Sequence, residues 1–380
     1  MKHKFIFGLL KYPALLFVKL RLGFRRGKRR PPSGACIVLA NHTTDFDPIL
    51  VGTTFGRHLY FVASEHVFRR KLLSRLLRWG FAPIARVKGS TDASSALAVL
   101  RAIKQGSSVG VFAEGERSWD GRTCEIHPTT ARLVRSSRVN LVTYRISGGY
   151  LTSPRWSTSL RRGKMRCELV GVYSPEEVAA MTDDELVAVI SRDLSEDANA
   201  RQAVEHVRYK GKNRAERLES ALYVCPRCNS ENTMHSSGNA FACSACGVLL
   251  TFDEYGEFHG TENFPFKTVR EWDEWQSAEL AERKYERGAR IYSDDYATLV
   301  QVGADHSETV VALGTMRLYE DKITLGTYNV SLGAVSKLAL YGAETIVFSS
   351  AGVNYEITWS QPTNARKYLT MFNILKRAAL

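Results

Sequence analysis

The sequence predicts an α/β fold in its first half, with helices layered on a mixed sheet, followed by a small cysteine-rich module and a β-rich domain closed by a helix. Three observations support this prediction. Short apolar runs alternate with amphipathic stretches over residues 35–170, two Cys-x-x-Cys pairs are separated by 14 residues, and many short β-prone runs fill residues 291–360. Alternation of strands and helices is typical of α/β layers, and closely spaced strands are typical of a small barrel or sandwich.

Six apolar runs are the strand candidates of the first half. They are Cys36–Ala40, Tyr60–Ala63, Phe81–Ile84, Val109–Phe112, Asn140–Ile146 and Met165–Val170. The stretches Phe68–Trp79 and Ala93–Lys104 carry apolar side chains at helical spacing. Because active sites of such sheets lie at strand ends, functional groups are expected just after Ala40 and Phe112.

The charge of the 380-residue chain is distributed unevenly. Residues 1–170 hold 31 basic and 9 acidic side chains, whereas the remaining residues hold 21 and 30. A strongly cationic half suits nucleic acid, anionic lipid or phosphorylated substrates equally well. Charge alone therefore does not choose among these partners. The length is sufficient for two or three domains, each with its own core.

The first thirty residues narrow the choice of partner. They hold ten Lys or Arg and no acidic residue, and their apolar runs are interrupted at Lys11, Pro13 and Lys19. No apolar span of about 18 residues is present, which argues against a transmembrane helix, and no small-residue cleavage site suggests secretion. Residues 1–30 are therefore predicted to form a basic amphipathic segment on an anionic membrane surface, at about 1 kcal/mol per charge, on the cytoplasmic face. A helix packed on the protein body with a solvated basic tail, or a nucleic-acid arm, are the alternatives.

A histidine and an aspartate follow the first buried strand. His42 lies two residues after Ala40, and Asp47 lies five residues after His42. If a helix follows His42, the carboxylate comes round to the imidazole and holds one ring nitrogen while the other faces a substrate. This is a base with its orienting group, as acid–base catalysis on a hydroxyl requires. A polar turn with an Asp cap is the alternative interpretation.

Two later motifs, together with this pair, indicate a family. The sequence contains His42-x-x-x-x-Asp47, then Gly80-x-x-x-Ile84-x-Arg86, then Phe112-x-Glu114-Gly115-x-Arg117-Ser118. In this order and at these intervals, the three blocks resemble the glycerolipid acyltransferase family, whose best-known members acylate 1-acylglycerol 3-phosphate. The resemblance covers roughly residues 30–170. It implies transfer of a fatty acyl group from acyl-CoA or an acyl-carrier protein to the free hydroxyl of a lysophosphatidic acid or other lysophospholipid.

The resemblance also implies roles for individual residues. His42 is the general base and Asp47 holds its imidazole. Arg117 and Arg86 bind the phosphate of the acceptor, because a guanidinium matches two phosphate oxygens. The rest of the third block, Glu114, Gly115 and Ser118, shapes the substrate-binding turn. An ion pair of Arg117 with Glu114 or Glu116 is the alternative to phosphate binding.

The sequence departs from the commoner family pattern at two places within the domain. Glu116 stands where a threonine is usual, and its charge beside the expected phosphate leaves the acceptor open, with glycerol 3-phosphate or another lipid as alternatives. The fourth block, residues 139–143, has lost its usual prolines. A non-catalytic lipid-binding or nucleic-acid-binding protein is a further alternative. No nucleic-acid partner is expected, because the basic residues surround an apolar N-terminus.

The two cysteine pairs predict a metal site. Cys225, Cys228, Cys243 and Cys246 offer two thiolates from each pair to one tetrahedral ion. Four thiolates leave no open position, so the predicted zinc is structural. Asn229 and Gly247 follow the pairs, and both residue types tolerate the left-handed turn that such loops require. Two disulfides or a redox pair are the alternatives.

The predicted domain order is a membrane-surface segment over residues 1–30, an acyltransferase domain over 31–220, a zinc ribbon over 221–260, a helical connector over 261–290 and a β domain over 291–380. Eight short β-prone runs are expected in the last, followed by a helix from Pro362 to about Arg377. This architecture resembles a pleckstrin-homology-type domain, with no sequence motif behind the resemblance. A docking module without a ligand and a lipid-headgroup binder both remain open.

Overall fold

The computed structural model describes residues 2–66, 75, 79–86, 94–260, 263–303 and 307–378. The chain divides into two compact units. The described residues of one lie within Met1–Arg86, Ala93–Arg214 and Asp253–Glu257, and those of the other lie within Ala215–Phe252 and Phe258–Leu380. Each unit is described by itself below.

A sheet of seven described strands forms the centre of the first unit. The strands are β1 (Phe24–Arg26), β2 (Cys36–Ala40), β3 (Tyr60–Ser64), β4 (Ile84–Arg86), β5 (Val109–Phe112), β6 (Asn140–Ser147) and β7 (Met165–Tyr173). Their order is β1-β7-β6-β2-β5-β3-β4, and all neighbours are parallel except β6 and β7. The mixed sheet predicted from the sequence is confirmed.

Helices cover both faces of this sheet. They are α1 (Lys2–Leu22), α2 (Asp47–Phe55), α3 (Ser94–Lys104), α4 (Thr129–Ser137), α5 (Gly149–Thr152), α6 (Pro175–Ala180), α7 (Asp183–Leu194) and α8 (Ala198–Glu205). Alternate residues of β2 contribute to two separate cores. Val38 packs with Leu22 and Leu50 on the side of α1 and α2, whereas Leu39 packs with Val99 on the side of α3. A strand buried on both faces explains the uninterrupted apolar run in the sequence.

One strand prediction was wrong in position. The run Phe81–Ile84 was expected to form a strand, but β4 begins only at Ile84. Ala82 adopts a left-handed φ of 43°, and Pro83 has no amide hydrogen to donate to a neighbouring strand. The predicted helix Phe68–Trp79 lies outside the described residues, apart from two positions.

The basic N-terminal segment is part of the first unit. Helix α1 buries Val18 and Leu22 in the core and exposes other apolar side chains. These exposed residues are Phe5, Leu9, Leu10, Tyr12, Leu16, Phe17 and Leu20. The basic cluster after the helix begins as strand β1, whose Arg25 pairs with Arg166 of β7, so it starts as a sheet edge and not as a free tail. Among the described residues, no helix has the length and hydropathy needed to cross a membrane.

The second unit begins with the cysteine-rich module. Strands β8 (Met234–Ser237), β9 (Ala240–Cys243), β10 (Leu249–Phe252) and β11 (Phe258–Gly260) form an antiparallel sheet in the order β11-β10-β9-β8. Helix α9 (Val269–Glu282) packs against the chain just before Cys225. Its Gln276 Oε1 accepts hydrogen bonds from the amides of Tyr223 and Val224, and its Trp272 Nε1 donates to Val224 O.

A second seven-stranded sheet completes the unit. Its strands are β12 (Arg290–Val302), β13 (Glu308–Tyr319), β14 (Lys322–Leu325), β15 (Tyr328–Ser331), β16 (Val335–Tyr341), β17 (Thr345–Ser350) and β18 (Val353–Trp359), followed by helix α10 (Ala365–Ala378). The order β15-β14-β13-β12-β18-β17-β16 places β12 in the middle. The β-rich region and its closing helix were predicted, whereas the pleckstrin-homology-type identity stays a prediction.

Candidate active site and metal centre

Two adjacent parallel strands place the candidate active site. Ala40, at the end of β2, pairs with Phe112, at the end of β5. Because the strands run in the same direction and end at the same register, the residues after them emerge side by side. His42 from the first strand and Glu114 from the second are thereby brought together. The structure thus joins two sequence motifs that lie about seventy residues apart.

The predicted histidine–aspartate pair is within hydrogen-bond distance. His42 Nδ1 lies 2.9 Å from Asp47 Oδ2. The His42 side chain is 23 % exposed, whereas the Asp47 side chain is fully buried. The other ring nitrogen, Nε2, has no hydrogen-bond partner among the described residues. One nitrogen is therefore held by a carboxylate while the other is available to a ligand.

The turn between the two residues wraps around the carboxylate of Asp47. Asp47 Oδ2 accepts hydrogen bonds from the amides of Thr43 (2.6 Å) and Thr44 (2.9 Å), and Oδ1 accepts one from Thr44 Oγ1 (2.7 Å). The helix expected directly after His42 starts only at Asp47, in α2. A turn with several inward-pointing donors, and not a helical face, brings the pair together.

The imidazole also stacks on an aromatic row. The ring centroids of His42 and Phe112 are 4.5 Å apart, and Phe61 stacks in turn on Phe112 at 5.7 Å. Gly110 leaves room for this row, because a Cβ at that position would lie 2.5 Å from the Phe61 ring. The stack fixes the plane of the imidazole and supplies an apolar wall beside it.

Glu114 supports the backbone of the site. Its Oε1 accepts a hydrogen bond from the His42 amide and its Oε2 accepts one from the Cys124 amide, both at 2.5 Å. Burial raises the pKa of the Glu114 carboxyl to about 8, although the two amides oppose this shift. The carboxyl predicted to shape the substrate turn is thus tied to the histidine loop.

Arg117 is held in place by three acceptors. Its Nε donates to Thr43 O (3.1 Å), its Nη1 to Asp45 Oδ2 (3.0 Å) and its Nη2 to Ser153 O (2.7 Å). The acidic partner is therefore Asp45, whereas an ion pair with Glu114 or Glu116 was the alternative expected from the sequence. A guanidinium has five N–H groups, so three bonds leave two hydrogens for a further acceptor.

The remaining residues of the predicted site lie around the same turn. Gly115 has a φ of 71°, and a Cβ there would lie 3.4 Å from Arg86 Nη1. The Arg86 guanidinium thus covers the turn that carries Arg117. Ser118 is buried, and its hydroxyl donates to Asp120 Oδ1 and accepts from the Gly121 amide. The Ser118 hydroxyl is therefore engaged within the turn.

One further residue at this turn, Arg155, was not predicted from the sequence motifs. Arg155 Nη1 donates to Glu116 Oε2 (2.9 Å) and to Arg117 O (3.0 Å). Arg155 lies 38 residues after Arg117 and belongs to none of the three motifs, so only the tertiary fold brings it to the site.

The four predicted metal ligands converge in the second unit. The Sγ atoms of Cys225 and Cys246 are 3.7 Å apart, those of Cys228 and Cys243 are 3.8 Å apart, and all four lie within 4.8 Å of one another. A disulfide requires about 2.0 Å, so these thiols are not paired with each other. A zinc tetrahedron with Zn–S bonds of about 2.3 Å has edges of about 3.8 Å, which the donor set fits.

The backbone around the cysteines also matches the prediction. Asn229 and Gly247 have φ values of 55° and 72°, in the left-handed region expected after each pair. Their amides donate to Cys225 O and Cys243 O, respectively, at 2.8 and 3.0 Å. Each Cys-x-x-Cys loop is therefore closed in a shape that turns both sulfurs inward.

Comparison with known proteins identifies the first unit. Residues 22–147 match the sequence model of the family described as Acyltransferase. These residues form an acyltransferase domain. The resemblance expected from the three motifs is confirmed, and the chain is an acyltransferase-type enzyme. The matched segment includes His42, Asp47, Arg86 and Arg117 but ends before Arg155.

One solved structure and one negative result complete the comparison. The chain is similar to the crystal structure of the 1-acyl-sn-glycerophosphate (LPA) acyltransferase PlsC from Thermotoga maritima, with 18% identity, a TM-score of 0.43, and coverage of 50% of this chain and 78% of that chain. Comparison with curated protein sequences found no match.

Proposed function

We propose that the protein is a membrane-surface acyltransferase that moves a fatty acyl group from acyl-CoA or an acyl-carrier protein to the free hydroxyl of lysophosphatidic acid or another lysophospholipid. The observation that carries this proposal is the His42–Asp47 pair at the strand end of an acyltransferase domain, with Nδ1 held at 2.9 Å and Nε2 open. A hydroxyl is a poor nucleophile until a positioned base removes its proton.

The proposed reaction is a direct transfer. His42 Nε2 takes the hydroxyl proton as the acceptor oxygen attacks the thioester carbonyl, so that a C–O bond forms and the C–S bond breaks. The departing thiolate then takes the proton from the imidazolium. Asp47 keeps the Nδ1–H tautomer and stabilises the imidazolium, because its buried carboxylate is oriented by the donors of Thr43 and Thr44.

Arg117 and Arg86 are the proposed phosphate ligands. Arg117 keeps two N–H groups beyond its three hydrogen bonds, and Arg86 lies over the adjacent turn at Gly115. A guanidinium held in place, as that of Arg117 is, binds a phosphate at little further cost in side-chain entropy. Glu114, Gly115 and Ser118 hold the shape of this turn.

Membrane attachment is proposed through helix α1 and strand β1. The exposed residues Phe5, Leu9, Tyr12, Leu16 and Leu20 recur at intervals of three or four and therefore share one face of the helix. An apolar face next to a basic edge strand is typical of a helix that lies in the membrane interface. The cytoplasmic face is proposed because its lipids are anionic.

A structural zinc ion is proposed for the second unit. Cys225, Cys228, Cys243 and Cys246 would hold it and leave no position for a substrate. When bound, the ion supplies folding free energy and takes no part in the reaction. Helix α9 contacts Val224, directly before the first of these loops, so the ribbon is proposed to fold together with that helix.

The test follows a radiolabelled acyl thioester incubated with purified protein and a panel of acceptors: lysophosphatidic acid, neutral lysophospholipids and glycerol 3-phosphate. Label is expected in phosphatidic acid or a diacyl phospholipid, and is expected to be lost in His42→Ala. His127→Ala, at an exposed histidine of the same unit, is the matched control and should retain transfer. Absence of label in every acceptor would overturn the proposed function.

A further inference from the structure

We infer that Arg155 is a positioning residue that cancels the charge of Glu116 and thereby lets this site accept a phosphorylated acceptor. The inference rests on the proposed function, since it concerns the phosphate that Arg117 and Arg86 bind. It concerns Glu116, an acidic residue directly before the proposed phosphate ligand Arg117. Arg155 lies outside the residues 22–147 that match the family model.

The Arg155 side chain holds the acceptor-binding turn at the Glu116 carboxylate and at the Arg117 backbone carbonyl. A single nitrogen, Nη1, donates to Glu116 Oε2 at 2.9 Å and to Arg117 O at 3.0 Å. The guanidinium lies over the Trp119 ring at 4.5 Å from its centroid. Two residues earlier, Ser153 O accepts from Arg117 Nη2 at 2.7 Å. The segment after helix α5 therefore fixes Arg117 at its carbonyl and at its guanidinium.

The ion pair is shielded from water. The Arg155 side chain is 4 % exposed and the Glu116 side chain 26 %. Charges in such a place interact more strongly than charges on the surface, because solvent and salt screen them less. A carboxylate beside Arg117 repels a phosphate dianion, and its ion pair with Arg155 at 2.9 Å weakens that repulsion.

The other acidic groups of the site need no such compensation. Asp45 pairs with Arg117, and its side chain is 81 % exposed, so water screens its charge. The Glu114 carboxyl is held by two backbone amides, and burial raises its pKa, which reduces its negative charge near neutral pH. Glu116 is the acidic residue of this turn that forms an ion pair with the buried Arg155 guanidinium.

The test compares the KM and kcat for lysophosphatidic acid in four chains: the parent, Arg155→Met, Arg155→Lys and the double variant Arg155→Met with Glu116→Thr. Arg155→Met is expected to raise the KM by about tenfold or more, with kcat at saturation within about threefold. Arg155→Lys keeps the charge and should retain most of the affinity. The double variant should return the KM to within about threefold of the parent value.

The double variant separates charge from packing. Threonine at position 116 does not refill the space over Trp119, so a purely structural role for Arg155 predicts no recovery. Arg161→Met is the matched control, since Arg161 is also buried and lies over a tryptophan, Trp156, at 5.2 Å. Arg161→Met should lower the stability of the protein, and adding Glu116→Thr to it should not restore that stability.

A further variant tests the inference even if Arg155→Met does not fold. Glu116→Gln keeps the shape of the side chain and removes its charge, and it should lower the KM for lysophosphatidic acid by about two- to threefold. The inference would be overturned if Glu116→Gln raised the KM, or if a folded double variant kept the high KM of Arg155→Met. Either result would leave the proposed function standing. Absence of transfer to any phosphorylated acceptor by the parent chain would overturn the proposed function with it.

Discussion

Asp47 is fully buried, and its carboxylate reaches His42 Nδ1 at 2.9 Å while four further donors, the amides and hydroxyls of Thr43 and Thr44, orient it. An acid held in this way has one geometry available to it. It fixes the tautomer and the ring orientation of the histidine, which is what a base must have before a hydroxyl approaches.

Replacement of Asp47 by asparagine should lower kcat by about 10²–10⁴, because the amide stabilises neither the Nδ1–H tautomer nor the imidazolium. The variant should also be less stable than the parent, since an NH₂ group then faces the donors of Thr43 and Thr44. Steady-state transfer rates and melting temperatures measure the two effects. Asp184→Asn, at an exposed aspartate, is the control, and a kcat for Asp47→Asn within about threefold of the parent would contradict the assigned role.

The raised pKa of Glu114 predicts a dependence of stability on pH. The carboxyl titrates near 4.5 in the unfolded chain and near 8 in the fold, mainly because of burial. The folded state therefore binds more protons between these values, and the free energy of unfolding should fall as the pH rises from about 5 to 8. In Glu114→Gln this fall should be smaller by about 3 kcal/mol, measured by urea unfolding at each pH. Equal slopes in the two chains would contradict the assignment.

Metal analysis tests the cysteine cluster. Purified protein should contain about one zinc ion per chain, and Cys243→Ser should lose it together with protease resistance of helix α9 (Val269–Glu282). The helix is affected because Gln276 and Trp272 bind the chain directly before Cys225. Cys124→Ser, in the other unit, should retain the metal. Metal-free protein with two disulfides would show that the alternative interpretation of the pairs is correct.

Membrane binding depends on the exposed face of helix α1 in the proposed function. The double variant Leu9→Glu with Leu16→Glu should weaken partition to anionic liposomes by tenfold or more, because two apolar side chains no longer enter the bilayer. Leu97→Glu changes a comparably exposed leucine on helix α3 and should have little effect. Partition of the parent should fall with added salt. If the double variant partitions to liposomes as strongly as the parent, attachment through this face of α1 is contradicted.

Local sequence determined the strands that are buried on both faces. The bounds of Cys36–Ala40 and Val109–Phe112 were predicted as observed, because a run without polar residues has one interpretation in a short segment. In contrast, the predicted runs Thr309–Leu313 and Met316–Tyr319 form one strand, β13, in the structure. Gly314 lies inside this strand with a φ of 136°, next to an irregular register with β12.

The site was predictable only where its parts share a motif. The spacing of His42 and Asp47 predicted their contact, although a turn and not a helix achieves it. The partners of Arg117 were not predictable, because Asp45 and Ser153 lie 72 and 36 residues away and meet it only across the sheet end. Arg155 was not predictable for the same reason, because it is distant from the motifs in the sequence and meets them only in the fold. Charge compensation is a property of the tertiary fold, whereas motifs describe a single segment.

The most direct test of His42 as the base measures thiol release from acyl-CoA that depends on added lysophosphatidic acid, in the parent chain and in His42→Gln. We expect acceptor-dependent release by the parent and a loss of about 10³-fold or more in the variant, with His127→Gln unchanged. Thiol release by a folded His42→Gln within tenfold of the parent rate would contradict the assignment of His42 as the base.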